Sequence, residues 1–389
     1  MQRIHAAKMG HLRPCNPSEW SREVREIAHR AGATMVRITH ATPNPSVQSE
    51  MERAFSRGDF TTWGYGDAYA HAAAHPDSLL AGARSVICVA LAYATPQPRY
   101  APLHGRVSNY AWSRDYHRRM RDLLAGIAHE VDALAGSNVT AIACDTKPLA
   151  ERAFAAQAGL GWVGKHTNLI APGVGSFIFL GEVVTTLELT PDTPSKKSCG
   201  SCTRCVSACP TQALRGDYTI DATRCIADLT QRTDAIPREM RLHIGDYVWG
   251  CDRCQEVCPP SIRAGSTDDP NAAPLDEELA HPTLTRLLAL RSGEFKRRYA
   301  RTAMGWRGAA ILRRNAAVAL GNALDRSAVP ALTQALNDDP HPLVRGHAAW
   351  ALGRIGSPHA LWALRTRQTH EVDASVAEEI LAALEPSVR

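Results

Sequence analysis

The sequence predicts a multidomain fold of α/β plus α class: an α/β unit over about 18–192, a cysteine-rich module over 193–265 and a tail of helical repeats over 280–389. Three observations predict it. Short apolar runs alternate with amphipathic stretches through the first half of the chain. Cysteines then crowd into a short span, and near the end an alanine-rich octet recurs at a fixed interval.

In the first unit, Trp20 to Gly32 has the apolar spacing of an amphipathic helix ended by glycine. Ser85 to Leu91 (S-V-I-C-V-A-L) and Thr140 to Cys144 are apolar runs of buried-strand type. A long helix is expected from Tyr116 to Leu134, and a shorter one from Leu149 to Ala158, closed by Gly159-Leu160-Gly161. Ser176 to Leu189 is rich in β-formers, and Pro191 and Pro194 then mark a linker.

The module that follows carries the strongest chemistry. Cys199, Cys202, Cys205 and Cys209 stand in C-x₂-C-x₂-C-x₃-C-P, the spacing of bacterial two-cluster ferredoxins, in which the fourth cysteine serves the other cluster. Cys251, Cys254 and Cys258 follow in C-D-R-C-Q-E-V-C-P. Zinc also binds C-x₂-C pairs, but a tetrahedral site needs only four ligands, and proline directly after Cys209 and Cys258 is a ferredoxin habit. The crossover rule joins Cys199, Cys202 and Cys205 with Cys258. It joins Cys251 and Cys254 with Cys209, and Cys225, upstream of the second run, fills the vacancy there. Two adjacent clusters form a wire, so single-electron chemistry with an acceptor site elsewhere is expected. Cys88 and Cys144 lie in apolar strands and are expected to pack in the core, whereas Cys15 reads as an incidental exposed thiol.

In the tail, Arg314 to Gly321 (R-N-A-A-V-A-L-G) is matched by Gly346 to Gly353 (G-H-A-A-W-A-L-G), 32 residues on, and a weaker third copy ends at Leu384. Alanine-rich helices at this period, with Pro330 and Pro342 between them, suggest stacked helix pairs of HEAT type. Arg313 and Arg345 fall at equivalent positions. Between Arg286 and Arg367 there are fourteen Lys/Arg against four Asp/Glu. Such a stretch attracts polyanions, nucleic acid first among them, or is simply a solvated helical face, and the repeat either binds or merely caps.

Composition narrows the class. The chain has 389 residues, 44% hydrophobic and 21% charged, with a net charge of +5. No run approaches the ~18 apolar residues of a membrane span. Met1 to Pro17 lacks the apolar core of a secretory signal, and the cysteine usage suits a reducing cytoplasm.

Asp145 ends a predicted strand and precedes a helix, in C-D-T-K-P-L-A-E-R. It is placed to face a ligand crevice, or equally to serve as a helix N-cap. Gly159 to Lys165 (G-L-G-W-V-G-K) is a poor phosphate loop, because it follows a helix and lacks the Ser/Thr that phosphate binding requires.

Asp145 to Ile170 (D-T-K-P-L-A-E-R-A-F-A-A-Q-A-G-L-G-W-V-G-K-H-T-N-L-I) resembles the epoxyqueuosine reductase family. So do Gly105 to His117, Cys225 to Gln231, Ile244 to Cys254 and Trp306 to Asn322, in the family's order and over nearly the whole chain. Arg57 to His75 departs from it, with T-T-W-G-Y where G-E-M-x-Y is usual.

The resemblance implies an enzyme that reduces the epoxide of epoxyqueuosine, at the wobble position of a tRNA anticodon, to queuosine and water. It implies cobalamin in the α/β domain, fed by two 4Fe-4S clusters and an external low-potential electron donor. Asp145 takes the family's proton-donor position. Cobalamin contacts are expected from Ser108, Asn109, Asp145, Lys165, His166, Thr167, Asn168, Leu169, Ser176, Thr230, Gln231, Cys251 and Asp252. No D-x-H-x-x-G run is present, so a base-off corrin without a protein histidine on cobalt is expected. Arg313 and Arg345, with Lys296, Arg297 and Arg298, are expected to hold anticodon-stem phosphates around a flipped base. Trp306 and Trp350 are candidate stacking platforms, but core packing is expected for both. A cytoplasmic monomer is expected. A reductive dehalogenase and a ferredoxin-type carrier are the competing readings. The repeat tail opposes the first, and the α/β unit with its Asp145 motif opposes the second.

Overall fold

The computed structural model describes residues 16–97 and 101–385; Cys15 and the first residues of the leader reading lie outside them. The N-terminal unit begins with α1 (Pro17–Arg30), three residues earlier than the apolar spacing suggests. Asn16 is the reason: its side chain accepts from the Ser18 and Glu19 amides, Glu19 reaches back to the Asn16 amide, and Pro17 occupies the first turn. Strand β1 (Met35–His40), helices α2 (Pro45–Ser56) and α3 (Asp67–Ala74), and strand β2 (Ser85–Ala92) follow. After the two-residue β3 (Arg106–Val107) comes α4 (Tyr116–Ala135), capped by Asp115 at its start and by Gly136 at its end. Then come β4 (Thr140–Ala143), α5 (Glu151–Gln157), the hairpin of β5 (Trp162–Val163) and β6 (Leu169–Ile170), and β7 (Ile178–Thr185).

The main sheet runs β1-β2-β7-β4, and all three ladders are antiparallel. The period of two sorts β2 cleanly. Ile87, Val89 and Leu91 pack with Val24 of α1 and Leu124 of α4, whereas Val86, Cys88 and Ala90 pack with Phe154 of α5. Helices therefore cover both faces, and Cys88 and Cys144 are core residues. The Gly159 to Lys165 run becomes part of the β5–β6 hairpin.

The cysteine module holds α6 (Arg204–Ala208), α7 (Ile226–Gln231), α8 (Arg238–Ile244), β8 (Tyr247–Trp249), α9 (Arg253–Glu256) and α10 (Pro259–Ala264). Its β8 pairs in parallel with β3, which ties the module to the α/β unit.

Short helices α11 (Glu277–Ala280), α12 (Leu284–Leu288) and α13 (Ser292–Arg298) lead to the repeats. These are α14 (Ala309–Ala323), α15 (Val329–Asp338), α16 (Pro342–Ile355), α17 (Pro358–Gln368) and α18 (Ala374–Leu384). The glycine closing each octet explains the period. A Cβ on Gly321 would stand 2.7 Å from the Trp350 ring and 2.9 Å from the Ala351 backbone, and one on Gly353 would stand 2.6 Å from Ala383. Only glycine lets α14, α16 and α18 stack this closely. One apolar core runs from Ile226 and Trp249 through the repeats to Ala383. Among the described residues, no helix is long and apolar enough to cross a membrane.

Candidate active site

Strand β4 ends one residue before the buried Cys144, and the chain then turns at Asp145 with φ 48°. A non-glycine residue in this region is held there by its surroundings. The Asp145 amide donates to the Glu151 carboxylate from the first turn of α5. Its own carboxylate, 58% exposed, reaches His117 Nε2 at 2.9 Å. The other ring nitrogen of His117 lies 2.6 Å from Asp115, the N-cap of α4. Burial works against the imidazolium, but the hydrogen bonds to Asp115 and Asp145 prevail and hold it up to about 9. At neutral pH both ring nitrogens are therefore donors, one to each carboxylate. Sequence reasoning passed over this relay, although D-x-H at a helix start is a visible signal.

Behind His117 stands an aromatic wall. Tyr116 stacks on the imidazole with centroids 4.0 Å apart and on Phe179 at 4.1 Å, and Tyr93 covers the far side of Phe179 at 4.2 Å. Tyr65 and Tyr69, stacked at 4.4 Å, come from the atypical Arg57 to His75 segment. Burial and then, for Tyr65, the nearby Asp145 charge push both phenols up, Tyr69 to about 12. Glu151 is pushed up by burial to about 7, against the pull of the Asp145 amide. Glu182, on β7 between Cys88 and Ala143, is wholly buried, and neither oxygen has a partner among the described residues. Burial and then the charge of Glu151 hold it well above the usual carboxylate range, as a neutral acid.

The remaining predicted contacts fall into two places. At the β3–β8 junction, the Ser108 hydroxyl and the Asn109 amide donate to the two oxygens of Asp252, at 2.5 and 2.6 Å, and all three residues are buried. Thr230 joins them, its hydroxyl accepting from the Gly250 amide beside Cys251 at 2.9 Å, while Gln231 bonds back to the Ala227 carbonyl. The β5–β6 loop brings the other group. Lys165 donates to the Gly200 carbonyl at 3.0 Å, Arg152 to the Thr167 carbonyl at 2.8 Å, and the Asn168 amide to His166. Leu169 is buried in β6, and Ser176 bonds Ser261 at 2.9 Å. Two buried atoms in these groups, Asn109 Oδ1 and His166 Nε2, have no partner among the described residues. Asn109 Oδ1 needs a donor, while His166 Nε2, which carries the ring proton because Nδ1 accepts from the Asn168 amide, needs an acceptor, and the amide-fringed rim of a corrin offers both.

The eight module thiols are near neighbours of one another. Cys258 lies within range of Cys199 and Cys202, and Cys205 within range of Cys199 and Cys258. Cys225 lies near Cys209, and Cys251 and Cys254 both lie near Cys225. Cys254 also lies near Cys205, so the two groups of thiols adjoin.

The tail departs from expectation. Arg313 donates twice to Asp339, at 2.6 and 3.0 Å, and Arg345 twice to Glu371, at 3.1 and 2.9 Å. Their side chains are 12% and 10% exposed, so they fasten the repeats together instead of facing phosphates. Arg298 is likewise held by Asp276 and Glu278. Lys296 and Arg297 are exposed. Trp350 is core at 4% exposure, but Trp306 is 56% exposed, contrary to the core packing expected of it.

A 4Fe-4S double cluster binding domain matches residues 198–261, HEAT repeats match 307–385, and the family described as epoxyqueuosine reductase QueG, DUF1730, matches 74–146. The epoxyqueuosine reductase of Bacillus subtilis (strain 168) is 34% identical over 375 residues, covering 95% of this chain and 96% of its own. This chain belongs to the epoxyqueuosine reductase family. That of Bacillus anthracis is 39% identical over 317 residues, 80% of this chain and 83% of its own. A crystal structure of an epoxyqueuosine reductase with an epoxyqueuosine-modified tRNA-Tyr stem loop is 34% identical, with a TM-score of 0.89 over 94% of this chain and 98% of that one. An epoxyqueuosine reductase structure from Bacillus subtilis, with its catalytic aspartate loop swung out of the active site, is 33% identical, with a TM-score of 0.88 over 94% of this chain and 98% of that one. The chain is accordingly an oxidoreductase of tRNA modification that carries two 4Fe-4S clusters and uses cobalamin.

Proposed function

We propose that, in the epoxide reduction its family performs on tRNA, the His117 imidazolium passes its proton to Asp145, which delivers it to the oxygen of the opening epoxide. Turning an epoxide into an alkene and water consumes two electrons and two protons. When bound, the corrin supplies the electrons, received singly through the two clusters from an external low-potential donor. The relay supplies the first proton, and water reaching the 58% exposed Asp145 carboxylate supplies the second.

The observation that carries this reading is the Asp115–His117–Asp145 relay, with contacts of 2.6 and 2.9 Å. An imidazolium beside Asp145 stores one proton next to the group that spends one, and Asp115 keeps the ring oriented after transfer. The positive φ at Asp145 and the grip of Glu151 on its amide hold the carboxylate against His117. The Ser108–Asn109–Asp252 cluster and the Lys165 to Leu169 loop would hold the corrin there, base-off. The substrate is tRNA carrying epoxyqueuosine at the wobble position, and the chain works as a cytoplasmic monomer.

The test is reconstitution with cobalamin and a low-potential reductant, followed by nucleoside analysis of tRNA carrying epoxyqueuosine. Queuosine is expected; its absence with loaded wild-type protein would contradict the reading.

A further inference from the structure

The Arg57 to His75 segment, where the chain departs from its family, builds a surface that the mechanism above does not use. Trp63 stacks on Trp306 across the boundary between the α/β unit and the tail, with centroids 5.8 Å apart and planes inclined by 23°. The Arg307 guanidinium lies 3.7 Å from the centre of the Trp306 ring and 5.2 Å from that of Trp63. Trp306 nevertheless keeps 56% of its surface in water. An indole this exposed, flanked by a cation and a second indole, offers a flat face that a planar partner would cover.

Its position favours one partner. Thr62, beside Trp63, donates to Asp228 of α7 at 3.2 Å, and Asp228 also draws the Trp63 indole and the Arg307 charge. Helix α7 ends at Thr230 and Gln231, and the chain leaving Arg307 enters α14, whose Arg314 and Asn315 grip the end of α7 through the Leu229 and Thr230 carbonyls. The platform is thus rigidly joined to the edge of the site, and Tyr65, two residues past Trp63, lies within charge range of Asp145. Aromatic faces interleaved with a guanidinium take unpaired bases of any sequence, because every base has a π-face.

We propose that Trp306, backed by Trp63 and Arg307, is a stacking platform for one unpaired base of the tRNA anticodon loop, other than the base being reduced. This rests on the tRNA reading above and names where on the chain a neighbouring nucleotide is held.

The test is equilibrium binding of a labelled anticodon stem loop to the holoprotein, by fluorescence anisotropy, at two or more salt concentrations. Replacing Trp306→Ala should weaken binding about tenfold, the scale of one lost base stack, and leave the salt slope unchanged, because stacking releases no counterions. Trp306→Phe should retain most of the affinity. Stem loops made abasic at one loop position at a time complete a cycle: at one position the abasic loss seen with wild type should vanish in Trp306→Ala. Unchanged affinity in Trp306→Ala, or additive losses at every position, would overturn the platform while leaving wild-type turnover intact. Failure of wild-type protein to bind the stem loop would overturn the tRNA reading and this proposal with it.

Discussion

His117 Nε2 and Asp145 Oδ2 stand 2.9 Å apart, and the imidazole between Asp145 and Asp115 stays protonated up to about 9. A carboxylate that must hand on a proton at neutral pH thus has a charged donor touching it, from which that proton comes. The folded value lies above the ~6.5 of a free histidine, so the ion pair stabilises the fold fully below that pH and is lost as pH rises through about 9. Turnover should follow the same course, level between pH 6.5 and 8 and falling through 9. In His117→Ala the limb near 9 should disappear and the plateau should drop at least tenfold, within the range of general acid–base effects. A variant that keeps the limb would assign it to another group.

Glu182 gives a second pH prediction, in a lower window. Its acid is neutral in the fold but ionises at ~4.3 once unfolded, so stability is lost progressively as pH climbs above that value. Glu182→Gln removes the titration. Thermal unfolding of the loaded protein should show the variant melting above wild type at pH 8, with the gap closing near pH 5. A variant less stable than wild type at pH 8 would mean that the carboxylate has a partner in solution.

Arg314, fully buried, donates to the carbonyls of Leu229, Arg232 and Asp234 and so fixes the end of α7, whose first turn follows Cys225. Arg314→Met would orphan all three acceptors. A loss of about 3 kcal/mol or more in chemical unfolding is expected, with the iron–sulfur absorbance bleaching at lower denaturant than in wild type. Unchanged unfolding would show that α7 holds its place without this grip.

The basic tail divides into two kinds of arginine. Arg345→Ala removes one of the two arginines on Glu371, which Arg367 still holds at 2.7 Å, and should cost about 1.5 kcal/mol while leaving the salt dependence of tRNA binding as it was. Lys296→Ala and Arg297→Ala, at exposed positions, should each lower the salt slope by about one unit and leave stability alone. The reverse pattern would return Arg345 to the phosphate-binding set.

These cases show what local spacing reveals. Cluster ligands lie close in sequence or at a ferredoxin interval, so a double-cluster module was legible from spacing alone, and the octet of the tail announced its stacking through Gly321 and Gly353. Burial of a charge is a different matter, because it depends on a partner far along the chain. Arg313 and Arg345 each pair with an acid 26 residues on, and Asp339 and Glu371 therefore repeat in step with them; that shared interval was the available signal. For Trp306 there was none. Its ring is exposed because Arg307 and Trp63 meet it there, and Trp63 is more than two hundred residues away. The antiparallel order of the sheet was hidden for the same reason, since β1 and β7 come together with β2 only in the fold.

The most direct test of the central claim is a single-turnover reaction of Asp145→Asn, loaded with clusters and cobalamin, on an epoxyqueuosine stem loop. The account predicts that the variant binds corrin and stem loop as wild type does, while queuosine forms at least about 100-fold more slowly. Formation at the wild-type rate would contradict it and remove Asp145 from the chemistry.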